Sequence, residues 1–150
     1  TAEASFTKLA NLNTLIVDEE NDIYVWEITS PPVSYYESRA TVTLATFNGT
    51  AIPQESIKSG NFNMPSTLKV YFNYVSPQKY DVDFCVRFQR YDTIKGWIDL
   101  TTNNFIAKST TKSYGYGVYS SNTKGPFRIV VETPDVWGVK ITNSSVTYEK

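Results

Sequence analysis

Apolar and polar residues alternate with a period of two along most of this chain, and a period near 3.6 is almost absent. The clearest run is YDVDFCVRFQR, residues 80–90. Val82, Phe84, Val86 and Phe88 fall on one side of it, and Asp81, Asp83, Cys85, Arg87 and Gln89 on the other. A strand of this kind turns one face to a core and the other to water. TLKVYFNYV (67–75) repeats the pattern with Leu68, Val70, Phe72 and Tyr74, and PFRIVVET (126–133) with Phe127, Ile129 and Val131. In DIYVWEIT (22–29), Ile23 and Val25 face one way and Tyr24, Trp26 and Ile28 the other, so this strand is apolar on both sides and is expected to be central and covered.

Turn signals separate these runs. The acidic stretch Asp18-Glu19-Glu20-Asn21-Asp22 lies between NTLIVD (13–18) and DIYVWEIT. Thr93-Ile94-Lys95-Gly96 precedes GWIDL, and its glycine suits the left-handed position that closes a hairpin. Asn48-Gly49 ends ATVTLATF and reads as another hairpin turn, because both residues tolerate positive φ. Pro31-Pro32, Pro53 and Pro134-Asp135 mark breaks. WGVKIT (137–142) and SVTYE (145–149) read as a closing pair of strands. Only residues 3–12 and 54–59 have the pattern of a helical turn.

These elements predict a single all-β domain over residues 1–150, with about nine or ten strands in two packed antiparallel sheets. A jelly-roll or related Greek-key sandwich fits that strand number best. An immunoglobulin-like sandwich ordinarily has fewer strands and about 100 residues. At 150 residues the chain buries roughly 70% of its unfolded surface, enough for a core without disulfides or metal.

Composition narrows the chemistry. There is no histidine and one cysteine, Cys85. That excludes an internal disulfide, cysteine-based zinc sites and catalysis by Ser-His-Asp or Cys-His constellations. Net charge is −1 and the basic residues are scattered, so no basic face is expected for nucleic acid or an anionic membrane. No apolar run approaches the roughly 20 residues of a membrane helix. Thr1-Ala2-Glu3-Ala4 has the small-x-small form of a signal-peptidase site, which predicts a secreted or cell-surface protein. The near-absence of cysteine suits a bacterial or viral surface.

Three polar constellations carry candidate chemistry. Asp81 and Asp83 stand about 6–7 Å apart along one strand face, within the range of hydrolase carboxylate pairs. Their expected role is to keep a strand face wet and guard it against wrong pairing, and no catalytic residue is assigned. Asp18, Glu20 and Asp22 form a candidate Ca²⁺ site, since their carboxylates and nearby carbonyls are the hard oxygen ligands this ion takes. No cofactor is otherwise implied. Cys85 shares a face with Arg87, whose charge would favour a thiolate. With no histidine to act as base, the thiol is read as incidental.

The remaining signal is aromatic: 15% of residues, including 11 tyrosines. In SYGYGVYSSN (113–122), Tyr114, Tyr116 and Val118 share one face, and Gly115, Gly117 and Tyr119 the other. Because Val118 travels with the two tyrosines, that face is expected to be core, leaving Tyr119 beside a glycine-floored groove. The alternative makes Tyr114 and Tyr116 an exposed platform. Trp97, next to its hairpin glycine, is a further candidate ring, whereas Trp26 and Trp137 are assigned to packing. The ligand-binding candidates are thus Tyr114, Tyr116, Tyr119 and Trp97. Rigid aromatic faces suit sugar rings, with Asn, Asp and Gln edges taking the hydroxyls. The leading expectation is a non-catalytic module that binds a glycan or another surface polymer. A protein-interacting part of a surface layer, fibre or phage tail is the second, through Tyr-rich faces and strand edges. The third is membrane activity through the polar, alternating segment 101–125, whose pattern suits an inserting hairpin and equally two modest sandwich strands with polar turns; stable membrane insertion is not expected.

Overall fold

The computed structural model describes residues 12–18, 23–28, 41–63, 67–120 and 125–149. Twelve strands occur among them: β1 (Leu12–Asp18), β2 (Ile23–Ile28), β3 (Thr41–Ala45), β4 (Gly49–Ala51), β5 (Ile57–Lys58), β6 (Phe62–Asn63), β7 (Thr67–Val75), β8 (Val82–Asp92), β9 (Gly96–Ala107), β10 (Ser113–Ser120), β11 (Pro126–Glu132) and β12 (Val139–Glu149). The count exceeds nine or ten because β4, β5 and β6 are only two or three residues long, too short to show a period.

Two antiparallel sheets pack as a sandwich. One has the order β1-β2-β10-β7-β12-β3, with β4 also on β12; the other has β5-β11-β8-β9, with β6 also on β11. Take β3 and β4 as one interrupted strand along β12, and β5 and β6 as one along β11. Numbered from there in chain order, the sheets read 1-8-3-6 and 2-7-4-5, which is a jelly roll. The β1–β2 pair extends the first sheet beyond β10, so β2 is central between two strands.

The alternation predicted for β7, β8 and β11 describes the core. Leu68, Val70, Phe72 and Tyr74 face Val82, Phe84, Val86 and Phe88 and also Phe127, Ile129 and Val131, all of them buried. Burying each such side chain contributes roughly 1.5–3 kcal/mol. Rings lock the layers: Phe72 meets Phe105 edge-on at 5.6 Å, and Phe88 meets Tyr119 at 4.7 Å.

Three expectations are corrected. In β10 the core face is Gly115, Gly117 and Tyr119, not Tyr114, Tyr116 and Val118. Gly115 lies opposite Phe72, and the ring of Phe72 fills the space a side chain at 115 would need. Second, Asn48-Gly49 closes no hairpin, since β3 and β4 both pair with β12. Asn48 Oδ1 instead accepts bonds from the Ser144 amide and hydroxyl, 2.9 and 2.7 Å, and clamps an irregularity in β12. Third, the closing strand pair is one strand, kinked at Asn143, whose φ is 49°. Segment 101–125 contributes to two sandwich strands, β9 and β10, which belong to different sheets. The β8–β9 hairpin forms as expected, with Gly96 at φ 80°.

Candidate functional site

The outer face of the five-stranded sheet presents the polar side of β8. Antiparallel register sets its residues into rows across three strands. Glu132, Cys85 and Asn104 form one row; Val130, Arg87 and Thr102 the next; Arg128, Gln89 and Asp99 the third. Over one end of this floor lies a groove of about 1090 Å³. One wall is Ile52-Pro53-Gln54, a tight turn held by two Ile52–Glu55 backbone bonds of 3.0 Å. The other includes Thr133 and Pro134. Thr133 Oγ1 donates to the Asp83 carbonyl at 2.6 Å and accepts from the Asp135 amide at 3.1 Å, fixing that wall to β8.

A chain of polar contacts rigidifies the floor. Arg87 donates to Glu132 Oε2 at 3.1 Å, to Asp99 Oδ2 at 2.8 Å and to Thr102 Oγ1 at 3.0 Å. Gln89 Nε2 donates to Asp99 Oδ1 at 2.8 Å, and Arg128 Nε donates to Gln89 Oε1 at 2.7 Å. The Arg128 guanidinium lies 4.1 Å over the Trp97 ring, and Trp97 meets Tyr91 edge-on at 5.4 Å. The face thus runs from a walled groove, over a fixed array of donors and acceptors, to an aromatic pair. β8 alone is 11 residues long, about 36 Å at the usual rise of 3.3 Å per residue.

Burial pushes the Cys85 thiol pKa above its ordinary value, and the nearby Arg87 charge only partly opposes this. Arg87 acts in the expected direction, but burial outweighs it and leaves the thiol with little water around it. Arg128 is held below its ordinary value, burial being the main cause.

The predicted ligand residues do not form one site. Trp97 lies on the face just described. Tyr119 is 1% exposed in the sandwich core, where burial raises its pKa, so it borders no groove. Tyr114 and Tyr116 lie on the outer face of the other sheet, but Tyr116 is only 2% exposed and Tyr114 is half-buried, stacked on Tyr71 at 6.4 Å. They make no open platform. Of the calcium candidates, Asp18 ends β1 and Glu20 and Asp22 lie outside the described residues, among which no His/Cys/Asp/Glu group suited to a metal occurs. Asp81 is engaged structurally: it accepts from the Ser109 amide at 2.9 Å and pairs with Lys108 at 3.5 Å. Asp83 lines the groove.

Trp137 was assigned to packing, but it is 42% exposed and stacks at 5.1 Å on Tyr80, itself 57% exposed. Sequence reasoning also passed over Tyr91, Asn104 and Glu132 as site residues. Period-two alternation marked the wet face of β8, and nothing local marked which strands would lie beside it.

No protein-family model matches the chain, and no curated protein sequence matches it. A solved structure described as "CBM4 structure and function", CBM denoting a carbohydrate-binding module, is similar in fold with a TM-score of 0.52. The likeness covers 91% of this chain and 76% of that one at 9% sequence identity.

Proposed function

We propose that this chain is an exported, non-catalytic carbohydrate-binding module that lays a stretch of uncharged glycan along the outer face of the five-stranded sheet. The observation that carries the reading is the three-strand floor itself, with donors and acceptors fixed in rows between a walled groove and the Tyr91–Trp97 pair. Such a face offers what a sugar needs: flat aromatic area for its C–H side and rigid polar groups for its hydroxyls. The similarity in fold to a carbohydrate-binding module supports the same class.

Charge points to an uncharged ligand. Among the described residues of this face, Arg87 is engaged by Glu132 and Asp99, Lys108 by Asp81, and Arg128 by Gln89 and the Trp97 ring. Lys58, opposite Val130 in the Arg87 row, is the exposed cation at the β5 edge; an acidic sugar seated elsewhere on the floor would compete with carboxylates already in place.

The test is affinity electrophoresis and calorimetry against uncharged and acidic polysaccharides, with wild type, Trp97→Ala and Asn104→Ala. Uncharged polymers should be retained, and each substitution should weaken binding about tenfold, or roughly 1.4 kcal/mol. Retention of acidic polymers alone, or of none, would sink the proposal.

A further inference from the structure

Tyr80 and Trp137 are the exposed, stacked aromatic pair of the described residues that no packing role explains. They come from two loops, 76–81 and 133–138, at the end of the sandwich away from the Thr93-Ile94-Lys95 turn. Both loops are fastened to the frame. The Ser76 hydroxyl donates to the Tyr80 carbonyl. Ser109 Oγ donates to the Gln78 carbonyl at 2.6 Å, and the Thr110 amide to the Ser76 carbonyl at 2.8 Å. On the other loop, Gly138 is pressed against β4: a Cβ there would stand 3.1 Å from the Ala51 carbonyl and 3.2 Å from Ile52 Cγ2. The rings are therefore presented by rigid supports, and stacking at such a site costs little conformational entropy.

The pair adjoins the groove from both sides. Lys108 lines the groove and pairs with Asp81, the residue after Tyr80. Ile52 lines the groove and packs beside Gly138, the residue after Trp137. Neither ring lines the groove itself, so a ligand that touches both must extend beyond it.

Resting on the function proposed above, we infer that Tyr80 and Trp137 form an outlying stacking subsite for the same uncharged glycan. The ligand is then a linear chain bound through its interior, long enough to occupy the groove and the pair together. Short oligosaccharides fill the groove alone.

The experiment is calorimetric titration with cello-, xylo- and manno-oligosaccharides, from disaccharide to octasaccharide. Wild type, Trp137→Ala, Tyr80→Ala and the ring-preserving Trp137→Phe are compared, with circular dichroism confirming the fold of each. Wild-type affinity should climb with length. Trp137→Ala and Tyr80→Ala should lose about tenfold on the longest oligomers and nothing on the shortest, and Trp137→Phe should keep most of the gain. Equal affinities of wild type and Trp137→Ala at every length would overturn this subsite and leave the groove reading intact. An equal loss at every length would also overturn it, placing the ring in the groove's own binding. A wild type that binds no oligomer of any length would remove both readings. A wild-type dimer that Trp137→Ala dissolves would assign the pair to self-association instead.

Discussion

The ring of Phe72 occupies the place of a side chain at Gly115: a Cβ built there would stand 2.3 Å from Cζ and 2.6 Å from Cε1. The two residues are direct partners in the β7–β10 register. Phe72 has nowhere else to go, because Phe47, Tyr74 and Phe105 surround it at 5.5–5.8 Å between ring centroids. Gly115→Ala should therefore destabilise the fold by about 1–3 kcal/mol, the usual cost of overpacking a core. Thermal denaturation measures it. Adding Phe72→Leu should recover part of the loss; an unchanged melting temperature in Gly115→Ala would contradict the packing described.

Ser144 ties the kink of β12 to the end of β3. Its hydroxyl accepts from the Phe47 amide at 2.7 Å and donates to Asn48 Oδ1 at 2.7 Å. Ser144→Ala leaves the buried Phe47 amide without this acceptor. The expected loss is about 1–3 kcal/mol, the cost of an unsatisfied buried donor. A urea midpoint equal to that of wild type would show that the clamp is dispensable.

The Cys85 thiol has a folded-state pKa above its ordinary value because burial disfavours the thiolate. A group raised on folding adds stability below its unfolded pKa, about 8.5 for cysteine, and loses it as pH rises toward the folded value. Wild type should thus lose stability relative to Cys85→Ala between about pH 7 and pH 9.5, with the difference growing above the unfolded pKa. Urea titrations at the two pH values give that difference, and a constant gap would refute the buried placement. Thiol reagents should label the native protein far more slowly than the unfolded chain.

At the β8–β9 turn, Asp92 Oδ1 accepts the Ile94 and Lys95 amides at 2.8 and 2.9 Å, and these bonds hold its pKa below the usual value. A carboxylate lowered on folding contributes stability above its unfolded pKa, about 3.9, and loses it as pH falls through the folded value. The gap in melting temperature between wild type and Asp92→Ala should hold steady from neutral pH to about 4 and close below it. A gap that persists at pH 2 would mean that the carboxylate's charge is irrelevant to the turn.

The candidate site was only partly legible in advance. Alternation alone puts Asp83, Cys85, Arg87 and Gln89 on one face of their strand, and they do share the outer face, but Cys85 and Gln89 are buried there beneath the polar contacts of their neighbours. Trp97 was singled out beside a glycine turn and does belong to that face. Asn104 and Glu132 had no local mark, because their place in a row with Cys85 comes from two separate pairings in the sheet. Tyr80 and Trp137 lie 57 positions apart in sequence and meet only where two loops converge.

What the sequence determined by itself was whatever depends on neighbours within one strand. Period-two alternation assigned the inward faces of β7, β8 and β11, and turn chemistry at Gly96 closed the β8–β9 hairpin. Strand number and length pointed to the jelly roll. The tertiary structure alone decided the face of β10. Tyr114, Tyr116 and Val118 looked like core because Val118 is apolar, yet the packed alternative puts two glycines and Tyr119 inward. The space Gly115 leaves is filled by Phe72 from the strand alongside. A residue's own strand cannot show whether its missing volume is empty or occupied by a neighbour, and here that neighbour's ring reversed the face.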